Sequence, residues 1–123
     1  MHELSIADNV IRIVQEQLKQ HPSTRVKAVY LQVGVMSNVL ADSLVFGFET
    51  LIQDTDLRGA QLIIREIPVT VRCRTCSCES QIEQFQFHCR QCAGEDLEVI
   101  SGDELFIESI EIENKAEYEH IDH

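Results

Sequence analysis

At the start of the chain, apolar residues recur at helical spacing. Leu4, Ala7, Val10, Ile11, Val14 and Leu18 share one face, and Glu3, Asp8, Arg12, Gln15 and Lys19 share the other. This pattern predicts an amphipathic helix that begins almost at the first residue. His21-Pro22-Ser23 ends it, because proline has no N–H to give and its ring clashes with the preceding turn. The period then falls to two. Val26 to Val33 alternates around Val29, Leu31 and Val33 and closes at Gly34, which predicts a strand. Asp42-Ser43 is expected to cap a second helix with Leu44, Phe48, Leu51 and Ile52 on one face. Thr55 to Gly59 reads as a turn, and Ala60 to Ile67 as a second strand with Pro68 at its edge. Leu97 to Ile100 is short and extended. Leu105 to Ile112 is a final strand whose alternation slips phase between Ile107 and Ile110, as a bulge would make it do. Asn114 to His123 reads as a charged, frayed tail.

Between the second strand and the last one stand two Cys-x-x-Cys pairs, Cys73/Cys76 and Cys89/Cys92. Each pair sets two thiolates on one tight turn, and two such turns facing each other make a tetrahedral sulfur cage suited to structural Zn(II). The joining segment, Ser77 to His88, reads as a short hairpin through Gln81, Glu83, Phe85 and Phe87. A disulfide framework fits poorly: five cysteines leave one odd, and no charged leader with an apolar run precedes them, which points to a reducing cytoplasm. A thioredoxin-type pair belongs at a helix start after a strand and gives no reason for two. Cys78 is a fifth thiol, able to replace Cys76 or to sit beside the cage, and the paired symmetry favours Cys76. His88, next to Cys89, reads first as an exposed or supporting imidazole.

The predicted fold is therefore α+β, with two helices packed on a three-stranded mixed sheet and an inserted four-cysteine zinc ribbon. Residues 1–69 and 102–123 would form the helix-bearing domain and 70–101 the ribbon. Phe46, Phe48, Phe85 and Phe87 read as core or ribbon packing. No apolar run approaches a membrane span. The formal charge of −11 repels phosphate and argues against nucleic acid, although Arg72, Arg74 and Arg90 give the ribbon a local basic side. Glu108, Glu111 and Glu113 read as a solvated strand face.

His2 raises a second metal question. The Met1 amine, the His2 amide nitrogen and the His2 imidazole can close fused chelate rings on one ion, with Glu3 adding an amide nitrogen or a carboxylate. Such a nitrogen-rich set suits square-planar Ni(II) or Cu(II) rather than zinc. The bland reading is an early residue on a frayed end. His120 and His123 are read as adventitious metal binders, and His21 as part of the helix stop.

The Met1-His2-Glu3 start, the amphipathic helix behind it and the paired Cys-x-x-Cys resemble the HypA/HybF family of hydrogenase nickel-incorporation proteins. The likeness extends through Val33-Gly34 with Ser37, Ser43-Leu44 with Phe46 and Phe48-Glu49, and Ile110-Glu111-Ile112. It implies a nickel metallochaperone, not an enzyme, with Ni(II) cargo on Met1, His2 and Glu3. Structural Zn(II) would sit on Cys73, Cys76, Cys89 and Cys92. It also implies two partners, a nickel-handling GTPase of the HypB type and the large subunit of [NiFe]-hydrogenase; some members also serve urease. Many members carry an acidic residue near the start of the second helix, where this chain has Leu40, with Asp42 two residues on. The alternative is a zinc-ribbon adaptor, binding protein or nucleic acid, that delivers no nickel. An enzyme would need zinc with an open position, and four thiolates fill it. Either a monomer or a dimer, the latter by ribbon swapping, fits the sequence.

Overall fold

The structure, a computed structural model, describes residues 3–115. Met1, His2, His120 and His123 lie outside the described residues. The first helix, α1 (Glu3–Leu18), buries Ile6, Ala7, Val10, Ile11 and Val14. The core face is thus turned slightly from the expected one: Ile6 is buried, while Leu4 is 59% exposed. Leu4 lies instead over Gly47 of α2 (Ala41–Leu51), where an added Cβ would stand 3.1 Å from its Cδ2. The missing side chain at Gly47 lets the two helices approach. The α1 exit is fixed by the Thr24 hydroxyl, which donates to the His21 carbonyl at 2.6 Å, and by Ser23 in the left-handed region at φ 67°.

On α2, Leu44, Gly47 and Phe48 are buried, and Ile52 joins them just past the helix end. Leu51, expected beside them, is 40% exposed. Asp42 does not cap this helix. The N-cap is Leu40, in extended conformation with no side-chain cap, and Leu44 N–H bonds its carbonyl at 3.0 Å. Asp42 falls inside the first turn, where its charge still complements the helix dipole.

The helices accompany a sheet of order β2-β1-β6, made of β1 (Thr24–Gly34), β2 (Gln61–Ile67) and β6 (Leu105–Asn114). Gly34 N–H bonds the Glu104 carbonyl at one end, and Lys115 N–H bonds the Ser23 carbonyl at the other, so β1 and β6 run antiparallel. The α2 crossover returns the chain to the same end, where Arg25 at the start of β1 lies against Gly59 just before β2. Those strands are parallel, and the sheet is mixed as expected. Val26, Ala28, Val29, Leu31 and Val33 are all buried, so β1 changes phase between Ala28 and Val29. The two bonds lie eleven residues apart on both strands (23 to 34, 104 to 115). No net residue is inserted on β6, and its slip is matched by one on β1. A simple one-sided bulge would have broken that equality.

The opposite sheet face carries a ladder of ion pairs. Arg25 pairs with Glu113, Lys27 with Glu111 at 4.0 Å, and Arg65 with Glu108 at 2.5 Å, while the Tyr30 hydroxyl donates to Glu111 at 3.2 Å. The acidic strip is a partnered face rather than a merely solvated one.

The chain divides into two compact units, one of Met1–Leu31, Val39–Arg65 and Phe106–His123, the other of Gln32–Asn38 and Glu66–Leu105. The second unit holds a sheet of order β4-β3-β5, with β3 (Thr70–Cys73) antiparallel to both β4 (Glu79–Gln81) and β5 (Leu97–Ser101). The hairpin therefore folds across the first cysteine pair, not within Ser77 to His88. Beyond Gln81 the chain leaves the sheet and turns through Gln84 and Phe85, both at positive φ. Gln32–Asn38 joins this unit through glycine contacts: Met36 N–H bonds the Gly102 carbonyl at 2.7 Å, and a Cβ at Gly34 would overlap that carbonyl. Among the described residues, no helix is long and apolar enough to cross a membrane.

Candidate metal centre

Strand β3 delivers Cys73 to the end of the ribbon sheet, and the chain reverses there. Ser77 N–H bonds the Cys73 carbonyl at 2.8 Å, and Cys73 N–H bonds the Cys78 carbonyl at 2.9 Å. The second cysteine turn repeats the device: Ala93 N–H bonds the Cys89 carbonyl at 2.9 Å, and Cys89 N–H bonds the Gly94 carbonyl at 2.8 Å. Ser77 and Ala93, the matched exits, both take positive φ, at 64° and 60°. Two like knuckles thus face each other.

They bring the sulfurs of Cys73, Cys76, Cys89 and Cys92 to within 4.8 Å of one another, with Cys73–Cys92 at 3.6 Å and Cys76–Cys89 at 3.5 Å. Four sulfurs about 2.3 Å from one zinc stand about 3.8 Å apart. The spacing and the all-thiolate donor set fit a tetrahedral, closed d¹⁰ site. Cys78 is not among the four; its thiol turns to the Glu79 carbonyl at 3.7 Å. His88 is exposed and lines a small cavity with Gln81, Glu83 and Arg90.

Backbone N–H groups prepare the sulfurs unequally. Hydrogen bonds from Cys92 and Gln91 N–H bring Cys89 down to about 6, against burial. The N–H of Cys76 likewise lowers Cys73, again opposed by burial. Cys76 receives the Cys78 N–H, which lowers it. Hydrogen bonding with Cys89 and burial outweigh that and push it up to about 12. Cys92 also rises: the Gly94 N–H pulls it down but is outweighed by the thiols of Cys73 and Cys89. A metal held by four thiolates must displace the remaining protons, so its affinity falls with acid. Gly94, in the turn after Cys92, also supports the site: a Cβ there would press to 3.2 Å from the Cys92 sulfur, a closeness that a turn signal alone does not display.

The ribbon is not basic. Arg72 pairs with Glu79 at 3.2 Å, Arg74 with Asp96 at 2.9 Å and Arg90 with Glu83 at 3.2 Å. Nor are its phenylalanines packed as expected. Phe85 is 63% exposed, and its ring is tilted against that of Phe87 with the centroids 6.4 Å apart. Phe46 is also exposed, since a step of two residues carries it to the far side of α2 from buried Phe48.

Of the expected N-terminal ligands, only Glu3 is described. It opens α1 and shares an open cavity of about 450 Å³ with Leu4, Asp42, Ser43, Phe46 and Gly47. Two carboxylates, from the first turns of α1 and α2, therefore line one recess.

Comparison with known proteins agrees across the chain. Residues 1–112 match the family model described as hydrogenase/urease nickel incorporation, metallochaperone, hypA. The chain is 39% identical over 118 residues to "Hydrogenase maturation factor HypA" of Desulfatibacillum aliphaticivorans, covering 95% of this chain and 91% of that one. It is 39% identical over 113 residues to "Hydrogenase maturation factor HybF" of Escherichia coli K12, covering 92% and 100%. Two solution structures share the fold. One is a HypA protein, at TM-score 0.70, 23% identity and coverage of 92% and 97%. The other is the nickel metallochaperone HypA of Helicobacter pylori, at 0.63, 24%, 90% and 97%.

Proposed function

This chain belongs to the HypA family of nickel-incorporation metallochaperones, which serve hydrogenase maturation and are not enzymes, and we propose the ligands and partners it uses. Ni(II) is the cargo, held at the N-terminus by Met1, His2 and Glu3. Zn(II) is resident, held by Cys73, Cys76, Cys89 and Cys92. The family-typical carboxylate near the second helix is supplied here by Asp42 instead of position 40. The observation that carries the nickel reading is the recess shared by Glu3 and Asp42, next to the described beginning of the chain.

The two sites suit opposite tasks. The cage is closed, with Cys73 and Cys89 buried, and it organises the ribbon. A carrier site must let go, so an exposed set whose amine, amide and imidazole each need to lose a proton binds reversibly and tracks pH. The chain receives or passes nickel alongside a GTPase of the HypB type and delivers it to the large subunit of [NiFe]-hydrogenase in the cytoplasm. The net charge of −11 favours partners that present a basic surface.

The test is a calorimetric and absorption titration of zinc-loaded protein bearing its native start, beside His2→Ala. One Ni(II) per chain in a planar nitrogen-rich field, lost in His2→Ala with zinc retained, is the expected result. Equal nickel binding by both proteins would remove the N-terminal site.

A further inference from the structure

The chain carries five thiols and the cage uses four, which leaves Cys78. Its place follows from the ladder of the ribbon sheet. Thr70, Val71 and Arg72 of β3 stand opposite Gln81, Ser80 and Glu79 of β4. One step further sets Cys73 opposite Cys78, and the Cys73 N–H bond to the Cys78 carbonyl at 2.9 Å keeps that register. Residues opposite each other in an antiparallel pair turn their side chains to the same face, with Cβ atoms about 4.5–5.5 Å apart. The two cysteines therefore close the first knuckle as a facing pair.

Cys78 reaches two more corners of the cage. Its N–H is given to the Cys76 sulfur, and its thiol interacts with the sulfur of Cys89. A group that meets three corners of a tetrahedron stands over the face they form, and that face is opposite the fourth corner. Here the fourth corner is Cys92, the exposed member of the set. With sulfurs about 3.8 Å apart, a fifth sulfur capping one face lies about 6 Å from the opposite corner, in keeping with the absence of Cys78 from the group whose sulfurs all lie within 4.8 Å of one another. At rest its thiol turns to the Glu79 carbonyl at 3.7 Å, a weak sulfur bond that costs little to break.

We infer that Cys78 is a reserve ligand that enters through the face of Cys73, Cys76 and Cys89 and replaces Cys92, so that this ribbon has two alternative four-thiolate sets. The inference rests on the reading of the cage as a resident zinc site. The bond to the Cys92 sulfur breaks as the bond to Cys78 forms. One proton passes from the Cys78 thiol to Cys92, and the charge of the site is unchanged. A thiol tethered on the same short hairpin acts at a local concentration on the order of millimolar, without waiting for a ligand from solution. The exposed corner can thus open while coordination stays complete. Cys89 belongs to the entry face, so its loss is not covered in this way.

Cobalt(II) in place of zinc, bound to the full chain under a phosphine reductant, reports the number of thiolates through its sulfur-to-metal absorption band. Wild type and Cys78→Ser should give the same four-thiolate band, because Cys78 is not a ligand at rest. Cys92→Ser should keep that band and hold zinc against a chelator within about tenfold of wild type. Cys92→Ser combined with Cys78→Ser should fall to about three quarters of the band and bind zinc at least about tenfold more weakly again. Native alkylation of zinc-loaded wild type needs no variant to fold. It should yield singly modified chains that retain zinc, with the label on Cys92 as well as on Cys78. Equal bands in Cys92→Ser and the double variant would overturn the inference and leave the cage reading intact. So would a reduced band in Cys78→Ser alone, since Cys78 would then be a resident ligand. Label confined to Cys78, or found on Cys92 only in chains that have lost zinc, would overturn it too. A wild type without a four-thiolate band would remove the cage reading itself, and the inference with it.

Discussion

Removing the metal from the ribbon should unfold that unit and spare the other. The ribbon unit comprises Gln32–Asn38 and Glu66–Leu105, yet its buried apolar side chains are Val33, Val69, Val71 and the two cage residues Cys73 and Cys89. Three buried valines supply about 5–9 kcal/mol. Ordering each residue costs about 1–2 kcal/mol of backbone entropy, so such a core cannot hold the unit alone. A structural zinc contributes about 10–16 kcal/mol of apparent binding free energy, more than the whole apolar core of the unit. The other unit needs no such help, with Phe48, Leu31, Leu44, Ile52, Leu57, Val14, Val26 and Val29 all fully buried. Amide correlation spectra of zinc-loaded protein before and after chelation under reductant read both units at once. The amides of Val69, Val71, Leu97 and Val99 should collapse to random-coil positions, while those of Val29, Leu31 and Leu44 keep theirs. Cys89→Ser should reproduce the pattern without chelator. Ribbon amides that stay dispersed, with metal shown absent by emission spectroscopy, would refute the reasoning.

Three further outcomes follow from single residues. Phe48→Ala should cost about 3–5 kcal/mol in urea unfolding, whereas Phe46→Ala should stay within about 0.5 kcal/mol, and a larger loss at Phe46 would mean packing against something not described. Gly102→Ala should cost about 3 kcal/mol or more in ribbon stability, because φ is 111° and the new Cβ would stand 2.6 Å from Val69 Cα; a wild-type thermal midpoint would contradict that geometry. The Glu104 carboxylate accepts the Gly102 N–H and those of its own loop, which holds it below the ordinary 4.5. A lowered carboxylate stabilises the fold above its unfolded value and loses that contribution as pH falls through its folded one. Carboxyl NMR should therefore give Glu104 a titration below 4.5, and Glu104→Gln should lose stability at neutral pH, with the deficit shrinking in acid.

Much of this architecture is legible in the sequence because periodicity encodes burial. The order of helices and strands, the mixed three-stranded sheet and the insertion of the ribbon follow from where the period changes and where the cysteines stand. The convergence of four sulfurs follows from two like turns at the same spacing. What escapes are choices between neighbours that periodicity leaves equal. Leu4 and Ile6 both suit a helix face, and packing against Gly47 decides between them. Asp42 has capping chemistry, but the chain enters α2 two residues earlier, with Leu40 as the N-cap. Phe85 and Phe87 alternate as a strand would, yet no neighbouring strand is placed to bond them and the backbone turns left-handed at Gln84 and Phe85. Composition counts Arg72, Arg74 and Arg90 as free cations, and only the structure shows the acid beside each.

The cage is lopsided, and its asymmetry governs exchange. Cys73 and Cys89 are buried and take backbone N–H groups that favour thiolate, whereas Cys92 is exposed and its proton affinity is raised. Were a metal held here, the Cys92 corner would be where a proton or a competing thiol reaches it from solvent. Exchange of such a metal would then run through that one corner, with a rate that scales with the concentration of the incoming ligand.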